Sequence, residues 1–349
     1  MPASAVDVIG PAFQHTKQQL LQPFRLSQWG KLAFVGMLAG ELTSGGCNFN
    51  GFSVPTRTPD SGRQFLQLPS LPHVDPAVYA GLIAFLLIFG FVLFVLFLYV
   101  SSVMRFVLFD SVIAKNCEIG RYWSRRQGIG VGLFVWKILY FLVMIVGLVI
   151  LVGIPALFAL AMGWLQAPKA HMAPLILGGI AVFFLTMGFT LAMAVVFVLT
   201  KDFVVPQMAL EGVGAIEGWR RLLPMLRAEK GGFAAYIALK IVMALGTAVL
   251  VGIVATIVVL VTVIPLGGLG AVAVLLGKAG GLRWDLYTIS LAVIVGLGMI
   301  GFILYVVSLV SVPAMVFFPA YSIYFFAARY PALAGVLQPV TPAPPATFR

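Results

Sequence analysis

AVYAGLIAFLLIFGFVLFVLFLYVSSVM, residues 77–104, runs for twenty-eight residues without a charged side chain. A helix of that length is about 42 Å long. A bilayer's hydrocarbon core is about 30 Å thick and needs roughly 20 apolar residues per helical crossing. Four more runs, at 131–155, 174–200, 232–264 and 286–318, meet the same requirement. None shows the period-2 alternation of a lipid-facing strand, so a β-barrel is excluded. Composition agrees. The chain is 61% hydrophobic and 9% charged, where soluble domains carry about a quarter charged residues. The fold class read from this is an all-α, polytopic transmembrane helical bundle.

A sixth crossing is expected at 28–45, SQWGKLAFVGMLAGELTS. Its uninterrupted apolar core, Leu32 to Gly40, is short for a crossing. The case for it is a repeat: Trp29, Trp123 and Trp219 are spaced 94 and 96 residues apart, each in a basic segment just before an apolar run. Three amphipathic-helix-plus-hairpin units follow, at about 11–104, 110–200 and 207–318, within a single membrane domain over 1–335. A tilt or break is expected near Ile264-Pro265, where the run at 232–264 exceeds one crossing. Residues 44–76, rich in Gly, Ser and Pro, read as an irregular loop. The Pro-rich tail 336–349 reads as disordered.

The net charge is +11, from 22 Lys+Arg against 11 Asp+Glu. The bases sit in short segments between apolar runs, which points to membrane orientation rather than nucleic acid. With six crossings, fifteen fall on one side: Lys17, Arg25, Lys31, Arg105, Lys115, Arg121, Arg125, Arg126, Lys201, Arg220, Arg221, Arg227, Lys230, Arg329 and Arg349. Five fall on the other: Arg57, Arg63, Lys169, Lys278 and Arg283. The bias places both termini in the cytoplasm of a cell with this protein in its inner membrane. Cys47 and Cys117 then lie on opposite sides and cannot pair. The start, MPASAVDVIG, lacks the basic-then-apolar order of a cleaved signal, so the mature chain is expected to begin near Met1.

Residues able to carry chemistry are few. Lys137 and Lys240 are the only charges read as lying well inside spans, each close enough to the basic end to snorkel. Gly296, Gly298 and Gly301 spell GxGxxG in mid-span, where small residues suit helix packing rather than a dinucleotide. Gly277-Lys278 lacks the first glycine and the hydroxyl of a P-loop. His15, His73 and His171 are dispersed and read as solvated or interfacial, not as metal ligands. No cofactor is implied. Two basic segments, 110–126 and 207–227, mix apolar residues with bases as a helix lying in a membrane surface does. They single out Trp123, Arg125, Arg126, Trp219, Arg220 and Arg221, with Lys137 and Lys240 deeper, as contacts for anionic lipid or partner proteins.

The stretches AFQHTKQQLLQPFRLSQWGKLAFVGMLAG, FDSVIAKNCEIGRYWSRR, DFVVPQMALEGVGAIEGWRRLLP and FFPAYSIYFF resemble a family of bacterial six-span membrane proteins similar to the membrane domain of glycerophosphodiester phosphodiesterases. The likeness covers most of 10–330. It implies six spans joined by amphipathic cytoplasmic segments. It implies no activity, because the phosphodiesterase chemistry belongs to a soluble domain with acidic and His ligands that this chain lacks. The expected function is therefore a non-enzymatic membrane module that organises lipid or partner proteins through its basic cytoplasmic face. The alternative is a transporter or channel for a small or lipophilic solute, with Thr186, Thr190, Thr256, Ser308 and Ser311 as candidate cavity-lining groups. An intramembrane enzyme, using Lys137, Lys240 and Asp110, ranks third.

Overall fold

The computed structural model describes residues 3–41, 76–164, 169–279 and 286–337. Most of the expected loop at 44–76, with Cys47 and His73, and the tail from 338 onward lie outside the described residues. Within them the protein is all α-helix, with no strand. Helices α1 (Ile9–Leu21) and α2 (Leu26–Leu38) are followed by α3 (Pro76–Ile113). Next, α4 (Ile119–Leu148), a π-helical turn (Val149–Gly153) and α5 (Ile154–Ala161) form one rod. A second rod joins α6 (Met172–Leu199), a π-helical turn (Thr200–Val204) and α7 (Val205–Glu211). The chain continues through α8 (Ala215–Ala228), α9 (Lys230–Ala279), α10 (Leu286–Ala327) and α11 (Pro331–Leu337).

Five stretches are long and apolar enough to cross a bilayer: Ile83–Ile113, Ile119–Ala161, Met172–Glu211, Lys230–Gly268 and Ser290–Ala327. At most 11% of the residues in the most apolar part of each are buried against protein. Phe85, Leu87, Phe91, Ile145, Phe183, Leu250 and Ile294 are all at least half exposed. Such surface is stable only in hydrocarbon, so this is a membrane protein. The core lies at one end of the spans. There, Phe106 and Phe203 are fully buried with Tyr236, Tyr321, Phe325 and Phe326. The Tyr236 ring lies parallel to Tyr321, centroids 5.1 Å apart, and packs on Phe325 at 4.5 Å.

Both described ends of the chain pack at this same end. The buried residues of α1, Ala12, His15, Thr16, Gln19 and Leu20, recur at helical spacing and form one face. His15 Nε2 donates to the Val112 carbonyl at 2.8 Å, which leaves Nδ1 to accept from the Tyr324 hydroxyl at 3.2 Å. Burial lowers the pKa of this imidazole and keeps it neutral. His15 is thus a buried packing residue, not the solvated or interfacial one its dispersal suggested. Tyr321 donates to the Ala5 carbonyl at 3.0 Å. Arg329 donates to both Glu229 oxygens at 2.7 Å and holds that carboxyl below its ordinary value.

Four expectations are corrected. Of the stretch at 28–45, residues 28–38 lie in α2, a helix of 13 residues, about 20 Å long and by itself shorter than a crossing, while residues 42–45 lie outside the described residues. Length outweighs the repeat. Helix α9 continues for 50 residues through Pro265 without a break. Residues 110–126 are not one surface helix: they are the end of α3, a turn and the first turns of α4. Gly296, Gly298 and Gly301 pack against no neighbouring helix, since a Cβ at each would meet nothing within 4 Å.

Helix α2 stops at a glycine for a definite reason. Gly40 takes φ +79°, and its N–H donates to Met37 while the Glu41 N–H donates back to Gly36. This is a Schellman cap, which needs a left-handed residue at that position. The cap delivers Glu41 to the packed end of the spans. Gly40→Ala is expected to cost about 1–2 kcal/mol through left-handed strain, read as an earlier thermal unfolding transition in detergent.

Candidate functional site

Buried ionic groups gather where α2, α3, α6 and α9 meet. Glu41 is 1% exposed and pairs with Arg105 from α3 and with Lys201 Nζ at 2.5 Å. Asp202, 2% exposed, pairs with Lys240 from α9 and accepts from the Tyr236 hydroxyl at 3.0 Å. Lys201 and Asp202 are consecutive, within the π-helical turn that interrupts the α6 rod. Such turns are frequent at functional sites. This one sends a cation toward α2 and its neighbouring anion toward α9.

Beside this cluster a cavity of about 240 Å³ opens between α3, α4 and the α6 rod. Arg105, Lys137 and Lys201 line it, together with the hydroxyl residues Ser101 and Thr200. Its walls include Phe94, Phe97, Trp136, Tyr140, Phe141 and Phe197. Neither Glu41 nor Asp202 is part of the lining. Lys137 Nζ donates to Ser101 Oγ at 3.1 Å, and among the described residues no carboxylate pairs with it. The space is therefore amphipathic: cationic at the packed end, aromatic toward the bare halves of the spans. It suits an anionic head on an apolar body.

The basic face differs from the sequence expectation. Arg126 is buried, donates to both Asp110 oxygens at 2.7 and 2.8 Å, and reaches the Ala209 carbonyl at 2.5 Å. It ties α3, α4 and α7 together, and with Asp110 it forms part of the wall of an open cleft. Arg221 pairs with Glu211 and Glu217, and Arg220 pairs with Glu217. Arg125 is exposed and lines an open cleft with Arg121 and Tyr122. Trp123 packs edge-on against Tyr99 at 6.3 Å. Trp219 donates to Thr200 Oγ1 at 3.0 Å and stands 6.3 Å from Trp136, behind the cavity wall. Residues 207–227 are likewise not one surface helix: 207–211 end α7, with Gln207, Met208 and Ala209 buried, and only the later part is amphipathic helix α8, burying Ala215, Gly218 and Leu222.

Of the residues singled out from sequence, the structure brings Lys137 and Lys240 into one neighbourhood, with Trp219 in support. Lys240 does not snorkel; it is buried against Asp202. The sequence reading missed Glu41, Arg105, Lys201 and Asp202. Arg105 and Lys201 read as bases in segments between apolar runs, not as groups inside the fold. A signal existed: Arg105 and Lys201 precede Trp123 and Trp219 by the same eighteen residues, and apolar residues resume after each. None of Thr186, Thr190, Thr256, Ser308 or Ser311 lines the cavity. Ser308 instead donates to the Ala33 carbonyl at 2.6 Å. No three His, Cys, Asp or Glu converge as metal ligands among the described residues.

Residues 3–336 match a family of unknown function (DUF7544). The chain belongs to this family. No curated protein and no solved structure matches it. The match in DUF7544 spans the packed end, the cavity and all five long helices, so the site lies wholly within the family's shared region.

Proposed function

We propose that the protein is a non-enzymatic lipid-binding component of the inner membrane, and that it holds an anionic lipid in the cavity between α3, α4 and α6. One observation carries this reading: three cations and no carboxylate line a space whose other walls are largely aromatic and aliphatic. In a low-dielectric setting an anion there interacts far more strongly than at a wet surface. Exposed Arg121 and Arg125 would add attraction for the anionic leaflet. Protein partners docking on the basic face, and independence from nucleic acid and cofactors, belong to the same reading.

The test is the lipid retained through purification, measured by native mass spectrometry. Lys137→Gln breaks no ion pair and is expected to reduce retained anionic lipid about tenfold, which is about 1.4 kcal/mol. Unchanged retention in this variant, or zwitterionic lipid held as firmly as anionic lipid, would count against the proposal.

Transport of a lipophilic anion is the second reading. The Asp202–Lys240 pair favours it, since charges within spans commonly mark solute pathways. Flux of such an anion into proteoliposomes, abolished by Lys137→Gln, would displace the static-binding reading.

A further inference from the structure

We infer that the cavity selects a phosphomonoester dianion, the headgroup class of phosphatidic acid, over singly charged phosphodiesters and carboxylates. The inference rests on the lipid-binding reading and names the ligand within it.

The argument is charge balance. Arg105, Lys137, Lys201 and Lys240 bring four formal positive charges to the cluster. Glu41 and Asp202 bring two negative ones. Asp202 is engaged by Lys240 and Tyr236 and is not part of the cavity lining. Glu41 bridges Arg105 and Lys201, also outside the lining. Among the described residues an excess of two formal positive charges therefore borders the cavity, and Lys137 is matched there by the Ser101 hydroxyl and by no carboxylate. Burying uncompensated charge is costly, so among ligands that fill the same space the one whose charge equals the excess leaves none unmatched.

A phosphodiester headgroup supplies one negative charge and leaves one positive charge uncompensated. A fatty-acid carboxylate does the same. A phosphomonoester carries close to two negative charges at pH 7, on three strong acceptor oxygens. That number suits three surrounding cations, and guanidinium donors match phosphate geometry. Ser101 adds a hydroxyl to the lining, beside Lys137. The volume, about 240 Å³, takes a headgroup and its glycerol, while the chains pass along Phe94, Phe97, Phe141 and Phe197 into the bilayer.

The experiment measures binding to the full chain in delipidated detergent micelles. The probes are phosphatidic acid, phosphatidylglycerol, phosphatidylcholine and oleate, with acyl chains matched among the phospholipids, plus soluble glycerol 3-phosphate. Phosphatidic acid is expected to bind at least tenfold more tightly than phosphatidylglycerol or oleate. Lys137→Gln should bring that ratio close to one, and Lys137→Arg should preserve it. Equal affinity for phosphatidic acid and phosphatidylglycerol, both above phosphatidylcholine, would overturn the dianion inference and leave the lipid reading standing. No preference for any anionic lipid over phosphatidylcholine would overturn both. Glycerol 3-phosphate binding as tightly as phosphatidic acid would keep the phosphomonoester chemistry and overturn its lipid source.

Discussion

Asp202→Ala is expected to destabilise the protein by about 3–5 kcal/mol, the usual cost of leaving one member of a buried ion pair alone. Asp202 is 2% exposed, and two groups depend on it: the Lys240 ammonium and the Tyr236 hydroxyl. Tyr236 in turn packs on Tyr321 and Phe325 at the centre of the core. Removing the carboxylate strands a cation where water cannot reach it. Adding Lys240→Met removes the stranded charge, so the double variant should recover most of the loss. Denaturant or thermal unfolding of the three variants in one detergent measures the cycle. Additive losses would show that the two side chains do not depend on each other.

Arg126→Ala should also cost about 3–5 kcal/mol, whereas Arg125→Ala should leave stability near that of the parent. The two neighbours look interchangeable in the sequence RYWSRR. In the structure Arg126 is buried on Asp110 and the Ala209 carbonyl, so its loss leaves a carboxylate and an acceptor unmatched. Arg125 reaches into an open cleft, where exposed charges contribute little. Comparing the unfolding midpoints of the two variants checks this. Equal midpoints would contradict the packing of α4 on α3 and α7.

Much of the fold was legible because hydrocarbon is an undemanding reader. It requires only enough consecutive apolar residues, and the five long runs satisfy that without knowledge of any contact. The error at 28–45 arose from letting a repeat of tryptophans outweigh length, when the apolar core from Leu32 to Gly40 was itself too short. The buried ionic cluster was less legible because its partners are distant in the chain: Glu41 and Lys201 are 160 residues apart. Arg105 and Lys201 looked like loop bases, since each seemed to end an apolar run. Both helices continue, to Ile113 and Glu211, and the aromatics just beyond, Phe106 and, past Asp202, Phe203, are fully buried. Apolar sequence resuming after a charge was the mark of a cation held inside the fold. Lys137 and Lys240 stood out because they lie far enough along their spans to be counted as charges in lipid. Their partners, Ser101 and Asp202, lie on preceding helices and could only be found by folding the chain.

Photolabelling with an anionic lipid that carries a diazirine near its headgroup would locate the bound lipid. In proteoliposomes of the full chain, labels should concentrate on the peptides bearing Phe94 and Phe97, Trp136 to Phe141, and Phe197, and should fall away in Lys137→Gln. Labels spread evenly over the bare outer halves of the spans, unchanged by that substitution, would contradict a lipid held at the cationic end of this cavity.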